Sequence, residues 1–199
     1  MIDVSLLKQI CEIPGAPGFE KPVRDLVVSL VSPHVDEFRI DNIGNVIALK
    51  KGTRNPDGKR VMLAAHLDEI GFIVSHIDEQ GFLRFNTLGG FDPKTLTAQR
   101  VIVHGKKDLI GVMGSKPIHV MTPEEKTKLP KTTDFFIDLG MPKEEVEKYI
   151  TIGDPITRDR ELIEMGDCVN CKSIDNRVAV FIVIEALKQL KNPAYDVYA

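Results

Sequence analysis

Val23, Leu26, Val27, Leu30 and Val31 recur at intervals of three and four residues, the spacing of one helical face, and predict a helix over 19–32 that packs on a sheet. A shorter helix is predicted over 4–13. Between the two, Pro14-Gly15-Ala16-Pro17-Gly18 stops any helix, because proline lacks the N–H and glycine favours turns. The pattern then shifts to extended runs at 36–41 and 44–50. Val61-Met62-Leu63-Ala64-Ala65 is continuously apolar, as expected of a strand buried on both faces in mid-sheet, and it runs directly into His66-Leu67-Asp68-Glu69.

After Gly71 the texture changes. Strand-like runs at 71–77, 82–87, 99–104 and 108–114 are punctuated by glycines, the look of a small barrel or sandwich. Thr122-Pro-Glu-Glu125 opens a short helix with a capping box, and a second short helix follows Pro142. The segment 167–172 is expected to be a strand leading back to the first layer. A helix from Arg177 to Lys188 follows, apolar at Val178, Phe181, Ile182 and Leu187 and also at Ala179, Val180, Val183 and Ile184, so it is expected to be covered nearly all round. The predicted fold class is therefore α/β, a layer built from 1–70 and 165–199 and interrupted by a β-rich body over 71–164. The final residues, 192–199, read as a turn and the start of another strand, the pattern of a chain that stops inside an element.

Composition narrows the function classes. The 199 residues are 43% hydrophobic and 28% charged, an ordinary globular balance, and a formal charge of -3 offers no electrostatic footprint for nucleic acid. No apolar run is long enough to span a bilayer and the N-terminus has no signal-peptide core, so no membrane partner and a cytoplasmic location are expected. Three cysteines, an odd number, fit a reducing compartment, and Cys168-Val-Asn-Cys171 without a second pair reads as structural.

Two places could carry chemistry. His66 and Asp68 stand two apart at the end of an extended run, which points both side chains to one side, at the strand end where α/β sheets bind ligands. An imidazole with a carboxylate on its free N–H suits a metal ion, although a surface histidine beside a capping aspartate fits the same spacing. Asp175 lies where a strand gives way to the long helix, where capping alone can favour an acidic residue. Together they predict that His66 and Asp175 approach within about 4–7 Å, the span set by bridged metals. His34, His76 and His104 have no partner spacing and read as surface or packing residues, and His119, just after Pro117, reads as structural rather than metal-bound.

Five segments, taken in order, resemble motifs of the glutamyl and tetrahedral aminopeptidase family. They are Ala64-Ala65-His66-Leu67-Asp68-Glu69-Ile70-Gly71-Phe72, Gly114-Ser115-Lys116-Pro117-Ile118-His119, Thr122-Pro-Glu-Glu125, Gly153-Asp154-Pro155 and Lys172-Ser173-Ile174-Asp175-Asn176-Arg177. Some members of that family carry the label endoglucanase or cellulase. The resemblance extends over essentially the whole chain and implies an α/β catalytic domain interrupted by a β-barrel dimerisation domain. It implies two divalent metal ions, zinc or cobalt, and a peptide substrate cleaved at its N-terminus. It also implies a homo-oligomer, a dimer or a twelve-subunit shell.

By the same resemblance His66 binds one metal, Asp175 bridges both, and Asp68 is the catalytic-site residue that orients His66. The family's Glu-Glu pair, a further carboxylate and a late histidine all fall beyond Asp175, where this chain has no Glu-Glu pair and no histidine. The chain is thus expected to be the N-terminal part of such an enzyme. The rival expectation is an inactive fragment that acts only in folding and assembly.

Overall fold

The computed structural model of the protein describes residues 2–54 and 57–199. Helices α1 (Val4–Glu12) and α2 (Lys21–Val31) lead into strands β1 (Glu37–Ile40), β2 (Val46–Lys50) and β3 (Arg60–Met62). Six further strands follow, β4 (Gly71–Ile77), β5 (Leu83–Leu88), β6 (Arg100–His104), β7 (Asp108–Ser115), β8 (Phe135–Asp138) and β9 (Pro155–Arg158). Helices α3 (Pro123–Lys126) and α4 (Lys143–Tyr149) lie among them. The chain then runs through β10 (Ile163–Met165), β11 (Cys168–Asn170), α5 (Ile174–Gln189) and β12 (Asp196–Tyr198). It divides into two compact units, one of residues 2–69 with 161–199 and one of residues 70–160. No helix among the described residues is long and apolar enough to cross a membrane.

The first unit is an α/β layer. Asp3 caps α1 by accepting from the Leu6 N–H at 3.0 Å, and Pro22 occupies the first turn of α2, where its missing N–H costs nothing. Val23, Val27 and Val31, one face of α2, are buried with Ile10 and Cys11 of α1 and with Val180, Ile184 and Leu187 of α5. The sheet has the order β1-β2-β12-β3, antiparallel throughout except for the parallel pair β12 and β3. The three residues of β12 therefore sit inside the sheet.

Three expectations for this unit need correction. The run at Val61 is not a buried central strand: β3 pairs with β12 on one side only, and Met62 is 77% exposed. An apolar run records that a strand is suited to burial, whereas its position depends on which neighbours pair with it. The segment after Asp167 does not join the main sheet but forms a two-stranded ribbon with β10, Met165 opposite Cys168. Helix α5 is buried along one stripe rather than all round, with Ile182 58% exposed on the other side.

The second unit is a closed barrel of order β4-β5-β8-β7-β6-β9, in keeping with the barrel that the glycine-punctuated runs suggested. Alternate residues of its strands face inward, so Phe72, Val74, Leu83, Val101, Val103, Met113, Ile137 and Ile156 form one core. The short β9 is inserted between β4 and β6, with Ile156 opposite both Phe72 and Val103, and so closes the barrel. On its surface, α3 carries the expected capping box: the Glu125 N–H donates to Thr122 Oγ1 at 3.3 Å, and the Thr122 N–H donates to Glu125 Oε2 at 2.7 Å.

Candidate functional site

Beyond β3 the Leu63 N–H donates to the Tyr198 carbonyl at 2.8 Å, and the segment that follows carries His66 and Asp68, whose side chains meet. Asp175 arrives from the start of α5. The chain there departs from helical geometry at Asp175 (φ -84, ψ 108) and Asn176 (φ -119, ψ 33), and the peptide between them is cis. The three side chains meet there. His66 Nδ1 lies 3.1 Å from Asp68 Oδ1, and His66 Nε2 lies 3.2 Å from Asp175 Oδ1. The second distance is shorter than the 4–7 Å expectation, since the two groups meet directly.

One imidazole between two carboxylates poses a proton-counting problem. A neutral imidazole carries a single N–H and ionised carboxylates carry none, so only one of the two contacts can be a hydrogen bond. A cation shared between Nε2 and Asp175 would satisfy the other. With Asp68 on Nδ1, the second nitrogen is left as a ligand atom, the arrangement in which a carboxylate fixes the tautomer of a metal-binding histidine. The donor chemistry therefore fits a divalent cation. It remains a set of few donors: among the described residues no group of three or more His, Cys, Asp and Glu side chains is arranged to hold a metal ion. The site is open, the Asp175 side chain being 95% exposed.

Beneath these exposed groups lies a charged bracing that the sequence reading did not anticipate. Lys172 Nζ donates to Glu69 Oε1 at 2.6 Å, and both side chains are buried. The Glu69 N–H in turn donates to the Gly15 carbonyl at 2.9 Å. Arg177 has no exposed surface; it donates to the carbonyls of Leu67, Ile10 and Ile13. Burial lowers the pKa of its guanidinium, with the Glu69 carboxylate pulling the other way. Gly15 is required beside it, because a Cβ there would stand 2.7 Å from Arg177 Nη2 and 2.8 Å from a Val23 methyl. The only signal available in sequence was that opposite charges flank the candidate residues: Glu69 follows Asp68, and Lys172 and Arg177 stand on either side of Asp175.

The cysteines divide by environment. Cys168 is exposed, Cys11 is buried, and Cys171 is packed against the core that holds Cys11. Hydrogen bonding from Cys11, helped by the backbone N–H groups of Ser173 and Lys172, lowers the Cys171 thiol to about 6, while the Cys11 thiol is pushed up. Of the remaining histidines, His104 is a packing residue of the barrel, held between Asp108 and the buried Thr157 hydroxyl at 2.9 Å each.

Residues 44–199 match the family of M42 glutamyl aminopeptidases. The chain belongs to that family. The lysyl aminopeptidase of Pyrococcus furiosus is 37% identical over 207 residues, which take in 100% of this chain and 58% of the relative. Among solved structures, the aminopeptidase APDkam598 from the archaeon Desulfurococcus kamchatkensis superposes with a TM-score of 0.91 at 40% identity, over 98% of this chain and 54% of its own. The TET1 peptidase of Pyrococcus horikoshii, described as assembling into a tetrahedron or a large octahedral shell, superposes with a TM-score of 0.85 at 28% identity. That match covers 98% of this chain and 59% of TET1. The M42 chain described here thus spans a little over half the length of these relatives.

Proposed function

We propose that this M42 chain is the N-terminal part of a metal-dependent aminopeptidase that releases N-terminal amino acids from peptides with two divalent ions, zinc or cobalt. The observation that carries the reading is the His66 imidazole held between Asp68 and Asp175 at 3.1 and 3.2 Å. His66 Nε2 would be a ligand of one ion, Asp175 would bridge the two, and Asp68 would hold the His66 tautomer from behind. Divalent ions held there supply polarisation of the scissile carbonyl and an acidified water. The chain's own part is to keep the three side chains in register, through the buried Glu69–Lys172 pair and the Arg177 bonds to the backbone on either side.

The same reading makes the barrel of residues 70–160 a dimerisation domain of a homo-oligomer, a dimer or a twelve-subunit shell, by analogy with the assembling TET1 peptidase. It makes the cytoplasm the working compartment, in keeping with three cysteines that form no disulfide.

A second reading, that these 199 residues act only as a non-catalytic assembly module, is favoured by the small donor set, since a catalytic zinc ordinarily has three protein ligands and a water. Parallel assays of this chain and of a form extended to the full length of its relatives, on aminoacyl-anilides with added zinc or cobalt, separate the two. Turnover by the extended form that chelator removes, with little or none by the 199 residues, supports the first. An extended form that is inactive at every metal concentration contradicts it.

A further inference from the structure

Two of the three cysteines meet where α1 packs against the segment that opens α5. Cys11 of α1 is fully buried, and the half-buried Cys171 packs against the core that holds it. Hydrogen bonds to the backbone of α1 tie the two segments together around the thiols. The buried Ser173 hydroxyl donates to the Cys11 carbonyl at 2.6 Å, and Arg177 Nη1 donates to the neighbouring Ile10 carbonyl at 2.6 Å. The thiols are themselves hydrogen-bonded, Cys11 donating to Cys171. Neither has a part in the metal reading. Cys168 stands apart, exposed in β11 and opposite Met165 in the two-stranded ribbon. Three residues of extended chain span roughly 10 Å, beyond the ~7 Å that bridged Cα atoms allow, so Cys168 is badly placed to pair with Cys171.

We propose that Cys11 and Cys171 are a redox pair, a site of reversible oxidation by a hydroperoxide that ends in a disulfide between α1 and the segment leading to Asp175. Cys171 is the half that solvent reaches, and Cys11 is the half that waits behind it. Hydrogen bonding from Cys11 and from the backbone N–H groups of Ser173 and Lys172 lowers the Cys171 thiol to about 6, so near neutral pH it is the nucleophilic thiolate. That thiolate attacks one oxygen of the hydroperoxide and the O–O bond breaks. Cys171 becomes a sulfenic acid, and the other oxygen departs as an alkoxide that takes a proton from water. The Cys11 sulfur then attacks the Cys171 sulfur, the S–O bond breaks, and the Cys11 proton leaves with the hydroxyl as water. Two thiols lose two electrons in all, and one hydroperoxide is reduced to an alcohol and a water. The second step takes place inside the core, between side chains already in contact, and needs no access from solvent. It also halts Cys171 at a reducible stage, ahead of the sulfinic acid that thiols do not reverse.

The test treats the 199-residue chain at neutral pH with one equivalent of tert-butyl hydroperoxide in the presence of a chelator, and blocks the remaining thiols with iodoacetamide. Mass spectrometry of the unreduced peptides then locates each cysteine. The Cys11–Cys171 disulfide is expected to exceed any disulfide of Cys168 by at least about tenfold, and dithiothreitol should return it to two thiols. In Cys11→Ala, where the second step is impossible, Cys171 should accumulate as a sulfenic acid that dimedone traps. Cys168→Ala should form the Cys11–Cys171 link as the unsubstituted chain does. The peptide map of the unsubstituted chain decides the matter by itself should a substitution prevent folding. A Cys168–Cys171 disulfide, disulfides mainly between chains, Cys171 carried to sulfinic acid with Cys11 still a thiol, or all three cysteines recovered as thiols overturns the proposal.

Discussion

Lys172 and Glu69 form an ion pair at 2.6 Å with almost no exposed surface, and they join the segment that carries Asp175 to the segment that carries His66 and Asp68. Removing one partner of such a pair takes away a charge-assisted bond that burial screens from water. Glu69→Gln or Lys172→Met is therefore expected to cost roughly 3–5 kcal/mol in urea unfolding, and the double variant less than the sum of the two. Additive losses would mean that the two side chains do not act as a pair.

Arg177 is expected to be irreplaceable even by lysine. Its fork reaches three backbone carbonyls, of Leu67, Ile10 and Ile13, whereas an ammonium is a single point that cannot meet all three. Each buried acceptor left without a donor costs about 1–3 kcal/mol, so Arg177→Lys should lower the unfolding midpoint clearly. Amide hydrogen exchange is the more local check, since protection should fall at the end of α1 and around Leu67 before it falls in the barrel.

Cys171 should be the fast-reacting thiol of the chain near neutral pH. Its folded-state value is about 6, lowered mainly by the hydrogen bond from Cys11, so the nucleophilic thiolate prevails above that pH and is lost below it. Iodoacetamide labelling followed by mass spectrometry should give a midpoint near 6 for Cys171. In Cys11→Ala the midpoint should move upward, because the donor is gone. A midpoint unmoved by that substitution would show that Cys11 does not set the Cys171 thiol.

What could be read in advance followed from periodicity. The three-and-four spacing of Val23, Val27 and Val31 located both α2 and its buried face, and the two-residue spacing of His66 and Asp68 pointed to side chains that share one side, as their 3.1 Å contact requires. The first four barrel strands announced themselves by apolar runs between glycines. The closing strand β9 did not, being four residues long and starting at Pro155, a residue that normally argues against a strand interior. The position of β3 was misjudged because apolarity is a property of the strand alone, while centre or edge is decided by pairing with β12, some 130 residues later in the chain. The bracing by Glu69, Lys172 and Arg177 was hidden for a related reason: a charged residue in sequence reads as exposed until its partner in another segment is known.

His66 and Asp175 are proposed as donors to the same divalent cation, with Asp68 holding the imidazole. Cobalt(II) titration of the chain, followed by NMR of ring-labelled histidine, tests this most directly, because the paramagnetic ion marks the ring it touches. The predicted result is that His66 resonances shift or broaden first, at Nε2 more than at Nδ1, while the other four histidines are unaffected at the same cobalt concentration. Asp175→Asn should weaken that response by about tenfold, in line with loss of a charged ligand. A His66 signal that stays unchanged as cobalt is added, or a response equally strong in Asp175→Asn, would contradict the assignment.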